Sequence, residues 1–597
     1  MLLNYKKIIS LYHLFKKGYG KHKTKIAVMI FLSFIGSVME GVGLTMIIPL
    51  LSFVSKEGSS NQGEIYATLS KVFSFFGINF SIKNLLFVIC VLFLVKAVVQ
   101  FCSGYVNTRI ITSFELDNKK ELFKMTMESN WLYLSKQKLG HLVQNITTDV
   151  DYSSRLFSLI SGVSIMIINL CVYTFLIFSI SIPVSLLLIV LMIFIFFFLK
   201  PLFYKSRMLS AKLSLWYKEL SHFVNQVVLG MKSIKAMSVE KKIIKEADRY
   251  FDDYRNLTFK IALFDNLMNS ITQPIGMLFV LAIFVFLYKF VGFDYGSFTV
   301  IIYAIYKVFT YLQNTQVQIQ RMNIFSPYLV NLLKYKEHTS VFFEKNEGKK
   351  RFNFKNALKF QDVKFSYGED KIVLNGINII FRKGEVTGIF GPSGSGKTTV
   401  ADLILRLYNQ SCGHILLDEE NIADIDMETW RNNIGYVSQD FFLINDTIEN
   451  NIKFYRDDIT HDDIIEAAKM SNIYDFIEGL PDKFATVIGE RGVLLSNGQR
   501  QRIVLARILS KKPDILILDE ATSSLDNETE IFIQKAIENL KGRVTIIVIA
   551  HRLTTLDNAD TIYAINEGVV IESGKPKELL ANKDSYFCKV YNLKGVL

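Results

Sequence analysis

Glu385-Val386-Thr387-Gly388-Ile389-Phe390 runs directly into Gly391-Pro392-Ser393-Gly394-Ser395-Gly396-Lys397-Thr398. The first six residues read as a buried strand, and the next eight fit G-x-x-x-x-G-K-[ST]. Glycine at such a turn lets backbone N–H groups close on phosphate oxygens, where a side chain would block the approach. The helix expected to follow offers the positive end of its dipole to the same oxygens. Gly391, Ser393, Gly394, Ser395, Gly396 and Thr399 are therefore candidate phosphate contacts. Lys397 supplies a mobile positive charge for the outer phosphates, and Thr398 offers a hydroxyl to Mg²⁺.

Downstream, the strand Ile515-Leu516-Ile517-Leu518 ends in Asp519-Glu520. Two carboxylates closing an apolar strand need a purpose, because burying charge is costly. Asp519 can hold the Mg²⁺ shell, and Glu520 can polarise an attacking water. Leu495-Ser496-Asn497-Gly498-Gln499-Arg500-Gln501-Arg502 lies between these elements, and His551 follows the strand Val544 to Ile549. From Phe354 onward, short apolar strands alternate with helical patterns, which predicts a largely parallel sheet with helices.

Upstream the character changes. The run Glu344-Lys345-Asn346-Glu347-Gly348-Lys349-Lys350 reads as linker, and the expected boundaries are 1–330, 331–352 and 353–597. Of the 597 residues, 50% are hydrophobic, and mean hydropathy is +0.27. The long apolar runs cluster before about residue 325. About 20 apolar residues cross a bilayer as a helix. Ile26–Val54, Leu85–Val106, Leu156–Ile182, Val184–Leu199, Leu263–Tyr288 and Phe298–Leu312 predict six spans, the third and fourth split by Pro183. A soluble core helix does not carry Phe, Ile and Leu on every side, as Leu186–Leu199 does.

Residues 1–25 hold seven lysines and no acid, which places the N-terminus in the cytoplasm. The basic segments 107–155 and 200–260 are expected inside, and the short turns near Pro183 and 289–296 outside. The net charge of +12 is thus mostly an orientation signal. No basic patch interleaved with stacking aromatics supports nucleic-acid binding. Cys90, Cys102, Cys171, Cys412 and Cys588 are too scattered for a disulfide framework and read as buried or membrane-facing thiols. Leu220–Val228 and Tyr133–Leu139 in the inner loops are candidate docking stretches.

Within the spans, Glu40 and Lys96 sit at similar depth, so a pair between them is expected; Lys307 has no acidic partner nearby in sequence. Ionisable residues in such helices are expensive and are functional or paired. Ile65, Leu69, Val72, Phe73 and Phe76 fall on one helical face, predicting an amphipathic helix at the outer surface.

The order of the phosphate loop, Gln439 in Tyr436-Val437-Ser438-Gln439, Leu495–Gln499, Asp519-Glu520, Ser523-Ser524-Leu525-Asp526 and His551 resembles ABC (ATP-binding cassette) exporters over the whole chain. The resemblance implies an all-α six-span transmembrane domain followed by an α/β P-loop ATPase domain. It implies ATP and Mg²⁺ as ligands, with Thr398, Gln439 and Asp519 at the metal. Glu520, His551 and Gln439 would be catalytic. Tyr367 would stack on adenine. Ser496, Gly498 and Gln499 would meet the nucleotide of a second half-transporter, and Asp526 would sit at the dimer contact. Thr486–Gly492 looks like the exporter-specific stretch before the signature.

The family usually has glycine where Asn497 stands, and alanine is common at Ser524. Asparagine tolerates left-handed backbone, so the signature is expected to work. Every other catalytic position matches, so the simplest assembly the resemblance implies is a homodimer, and a heterodimer with this chain as its intact half stays open. A bacterial inner membrane is expected, with the ATPase domain cytoplasmic. Met39-Glu40-Gly41-Val42-Gly43 and the outer helix are similar to flippases for lipid-linked oligosaccharides. An amphipathic lipid is the expected substrate; drug or peptide export and an ATP-gated channel or regulator stay open.

Overall fold

The computed structural model describes residues 18–594, except 21–22, 55–63, 76, 78, 138, 291–294, 369–371, 439–440, 520–533, 536 and 551. It divides into two compact units, residues 1–129 with 133–343, and residues 344–597 with the short stretch 130–132.

The N-terminal unit is helical. Its long helices are α1 (Lys23–Thr45), α2 (Ile82–Met127), α3 (Thr148–Ile180), α4 (Ile182–Leu229), α5 (Glu240–Phe290) and α6 (Tyr295–Thr339). Each holds most of one expected span. Three described stretches, Lys23–Leu50, Ile82–Met127 and Gly140–Ile180, are long and apolar enough to cross a membrane; Ile182–Phe194 and Pro274–Val285 are shorter apolar pieces. The helices also run far past their apolar runs. The docking candidate Leu220–Val228 forms the last turns of α4, and Tyr133 lies in the short helix Trp131–Ser135.

Four differences from expectation have plain causes. The break between α3 and α4 falls at Ser181, which is extended (φ −152°, ψ 108°), and Pro183 stands in the first turn of α4. Proline lacks the N–H that an opening turn leaves unpaired, so it suits that place and does not break the helix. Helix α6 runs on to Thr339, into the stretch expected as linker, because Leu332-Leu333-Lys334-Tyr335-Lys336-Glu337 contains no glycine or proline to stop it. In the helix Glu64–Phe75, Phe73 is buried against Met46 and Leu85, whereas Val72 and Phe75 are exposed. The two neighbours cannot share a face, so Phe73 packs the helix onto the protein; Phe76 lies outside the described residues. Cys412 is exposed on a strand of the second unit, neither buried nor on a membrane helix; Cys588 is buried.

Small residues let α1 approach its neighbours closely. A Cβ on Gly43 would stand 3.1 Å from the Phe93 ring of α2, and one on Gly41 would stand 3.5 Å from Val172 of α3. Polar side chains line the same helix. Ser33 bonds Ser103 of α2 at 2.9 Å, and Ser37 donates to Asn169 of α3.

The C-terminal unit is α/β. A four-stranded sheet has the order β2 (Ile372–Arg382), β1 (Ala357–Ser366), β4 (Cys412–Leu417), β5 (Glu420–Asn421). The second sheet has the order β10 (Val569–Gly574), β9 (Thr561–Asn566), β3 (Val386–Phe390), β8 (Thr545–Ile549), β7 (Ile515–Asp519), β6 (Ile434–Val437). Strands β9, β3, β8, β7 and β6 are parallel, and only β10 runs against its neighbour. Strands β3, β7 and β8 are buried at every residue, as their mostly apolar sequences suit a sheet covered on both faces. Helix α7 (Lys397–Ile404) follows β3, and α8 (Asn497–Leu509) precedes β7.

Candidate functional site

Parallel strands deliver their carboxyl ends to one edge, and ligands of open α/β sheets bind there. Strand β3 ends at Phe390, immediately before the glycine loop. Strand β7 ends at Asp519, and β8 lies between them. With strands about 5 Å apart, the loop and the carboxylate are placed about 10 Å from each other.

The loop needs its glycines for different reasons. Gly391 has φ +153°, and a Cβ there would fall 2.0 Å from the Ile565 carbonyl oxygen. Gly396, the N-cap of α7, has φ +103°, and its Cβ would meet Leu374 at 2.5 Å. Gly394 has φ +79° with open space around it. Lys397 is 5% exposed and folds back over the loop: its Nζ donates to the carbonyls of Gly391 at 3.0 Å and Pro392 at 2.8 Å. An ammonium held by neutral carbonyls in this way is positioned for stronger, anionic acceptors. Ser395 and Thr399 are buried; Ser393 and Thr398 are exposed at the mouth.

Tyr367 leans edge-on against Phe365 and Tyr408 and is 41% exposed. Its hydroxyl bonds the Thr399 hydroxyl at 2.9 Å and donates to Asp402 Oδ2 at 3.4 Å.

Asp519 is buried, and Tyr436 of β6 donates to its Oδ2 at 3.2 Å. Asp402, on α7, shares this neighbourhood. Burial, reinforced by the Asp519 charge, pushes the Asp402 carboxyl up to about 6. Burial and the same two carboxylates push the Tyr436 phenol well above its usual range. Two carboxylates repelling each other form an all-oxygen pair with surplus negative charge, which fits a hard cation such as Mg²⁺. Asp402 was not singled out from the sequence. Its signal was there, since one carboxylate interrupts Val400-Ala401-Asp402-Leu403-Ile404, one turn beyond the phosphate loop.

The signature lies at the start of α8. Ser496 caps the helix: its Oγ accepts from Gln499 N–H at 3.2 Å, and Gln499 Oε1 accepts from Ser496 N–H at 2.8 Å. This reciprocal pair satisfies two otherwise orphaned donors. Asn497 opens the helix with ordinary negative φ, and its side chain accepts from Arg500. The left-handed freedom expected of Asn497 is not used. Gly498 is buried, and its carbonyl accepts from Arg502 at 3.4 Å.

Glu520, His551, Gln439 and Asp526 lie outside the described residues. Sequence reading also missed a cavity of about 460 Å³ in which the basic side chains Arg431, Lys453, Arg456, Arg507 and Lys511 join an otherwise mostly apolar wall. Arg507 lies 4.1 Å from the Phe454 ring centroid, and burial lowers it to about 10.

In the helical unit, Glu40 meets both candidate lysines: Oε2 lies 2.9 Å from Lys96 Nζ and Oε1 lies 3.3 Å from Lys307 Nζ. Lys307, which has no acid nearby in sequence, finds its partner on the first helix.

Known proteins share this arrangement. Residues 374–523 match the ABC transporter family, and residues 26–315 match the ABC transporter transmembrane region. The chain is 34% identical over 520 residues to an ATP-dependent lipid A-core flippase of Haemophilus influenzae, covering 85% of this chain and 87% of that one. It is 30% identical over 575 residues to the heterocyst differentiation ATP-binding protein HepA of Nostoc, covering 94% and 93%. A solved bacterial Atm1-family ABC exporter with ATP bound shares the fold, with a TM-score of 0.78 and 22% identity, over 96% of this chain and 98% of that one.

A phosphate loop and an acid-ended strand in one unit, joined to a unit of membrane helices, define an ATP-driven transporter. The chain belongs to the ABC transporters, as a multi-pass membrane exporter that binds ATP and couples its hydrolysis to transport.

Proposed function

We propose that this chain moves an amphipathic lipid, a lipid-linked oligosaccharide or a related molecule, from the cytoplasmic side of a bacterial inner membrane by alternating access. The observation that carries this reading is a cluster of ionisable side chains, Glu40, Lys96 and Lys307, set within apolar stretches of their helices. Such a cluster is expensive in hydrocarbon and suits a path for a polar headgroup. The relatives named as lipid A-core flippases support the same substrate class.

At the nucleotide, Tyr367 stacks on adenine with its open face. Gly391, Ser393, Gly394, Ser395, Gly396 and Thr399 hold the phosphates, and Lys397 exchanges its loop carbonyls for the outer ones. Thr398, Gln439 and Asp519 would hold Mg²⁺, which when bound offsets phosphate charge. Glu520 accepts a proton from the attacking water, and His551 steadies the γ-phosphate. The strand order supports this set, because β6, β7, β8 and β3 are neighbours and Gln439, Glu520 and His551 follow the first three within two residues. Ser496, Gly498 and Gln499 act on the nucleotide of a second, identical chain, and Asp526 lies at that contact. ATP thereby favours one state of the dimer over the other, as any switch requires.

The test is transport by the purified chain in liposomes. ATP-dependent movement of a lipid-linked oligosaccharide is expected. Drug efflux without lipid movement would replace this reading with multidrug export.

A further inference from the structure

An acid on the phosphate-binding helix works against its own site. Asp402 stands on α7 beyond Lys397, where its charge opposes Asp519 and any phosphate held by the loop. Burial and Asp519 disfavour the ionised carboxylate, and the contact that favours it is the Tyr367 hydroxyl. The side chain is thus tied to its surroundings chiefly through that tyrosine.

Tyr367 in turn needs an anchor. It lies just past the end of β1 at Ser366, so the strand ladder does not fix it. Phe365 and Tyr408, with ring centroids at 4.8 Å and 5.1 Å, meet the body of the ring edge-on. The far end is tied to α7. Thr399 and Asp402, three residues apart on one face of that helix, flank the Tyr367 oxygen at 2.9 Å and 3.4 Å.

The protons give these bonds a direction. Burial, with the Asp402 charge adding to it, raises the Tyr367 phenol above its usual range, so the oxygen keeps its proton. An ionised carboxylate only accepts. Tyr367 donating to Asp402, with Thr399 donating to Tyr367, satisfies both contacts. A phosphate arriving at Thr399 draws the threonine proton away, and the bond to Asp402 survives it.

We propose that Asp402 is a positioning residue for the nucleotide: it holds the Tyr367 hydroxyl, so that the ring is set for the adenine by the same helix that holds the phosphates. This rests on the reading of Tyr367 as the adenine platform and adds what aims it. Helix α7 thereby fixes the span between base and phosphates. Binding then need not freeze a loose aromatic side chain, a gain of about fivefold in affinity.

The experiment uses the full chain in nanodiscs with Mg²⁺, and calorimetry measures the affinity for two probes. One is the β,γ-imido analogue of ATP, which resists hydrolysis; the other is inorganic tripolyphosphate, which lacks the base. The ratio of the two affinities reads what the base contributes, and retained tripolyphosphate binding shows that a variant is folded. Tyr367→Phe keeps the ring and loses the hydroxyl, whereas Asp402→Ala loses the acceptor. Each should lower the ratio about fivefold. The double variant should lower it no further, because both changes cut the same bond. Asp402→Asn keeps an acceptor oxygen and should recover most of the loss.

An unchanged ratio in either single variant would overturn the proposal. So would a double variant that falls by the product, about 25-fold, the mark of two independent effects. Equal weakening of both probes by Asp402→Ala, seen only with Mg²⁺, would make Asp402 a metal ligand instead. Tyr367→Ala separates this proposal from the reading beneath it. If that variant also leaves the ratio unchanged, the adenine platform itself is wrong. If it lowers the ratio while Tyr367→Phe and Asp402→Ala do not, the platform stands and only the role of Asp402 falls.

Discussion

Single side chains carry the sharpest consequences. Glu520→Gln should keep ATP binding and lower phosphate release by about 10²- to 10⁴-fold, the usual worth of a positioned general base; full release in the variant would reject the assignment. The two loop glycines should behave differently. Gly391→Ala drives a Cβ to 2.0 Å from a backbone oxygen and should cost about 3 kcal/mol, whereas Gly394→Ala meets only open space and should cost about 1 kcal/mol for its φ. Thermal unfolding of both variants checks the order. Asp402 adds a pH signature. Its native carboxyl titrates at about 6 against an ordinary 3.8, so its contribution to stability is full below about pH 4 and is lost as pH rises through about 6. Asp402→Asn should therefore raise the melting temperature at about pH 8 by the equivalent of roughly 1 kcal/mol, after allowing for partial exposure, and give no gain at about pH 4.

Elements show what the sequence could and could not announce. The strand Val386–Phe390 and its glycine loop were legible because burial and phosphate binding leave few residue choices. The capping box of α8 was equally written in Ser496 and Gln499, three residues apart. Ser496→Ala should cost about 1 kcal/mol of stability through the lost cap. Its ATPase activity should fall far more than that loss explains if Ser496 also touches a nucleotide; parallel melting and turnover measurements separate the two effects. The helix boundaries were less legible. Pro183 looked like a break and is an opening turn, since proline's missing N–H costs nothing there. The partner of Lys307 was hidden, because packing, not spacing along the chain, brings α1 and α6 together. Asp402 escaped notice because one carboxylate in an apolar helix looks solvated until the neighbouring strand end is known.

The whole molecule adds symmetry. If each ATP site draws Lys397 from one chain and Ser496 from the other, two crippled chains can complement each other. Lys397→Ala and Ser496→Ala should each be inactive alone. Mixed and reassembled, half of the dimers would hold one intact site, so activity should return to about a quarter of the parent's if sites act independently. No recovery would mean that each chain builds its site by itself or that one site does not suffice.

The seam on α1 also bears on how the protein is made. Ser33, Ser37 and Glu40 find partners on α2, α3 and α6, which leave the ribosome in that order. Lys96 arrives early and neutralises Glu40 while most of the helices are still unsynthesised. Lys307 arrives last. Within the Glu40 cluster, one acid therefore faces one base until the final helix docks and brings the second ammonium.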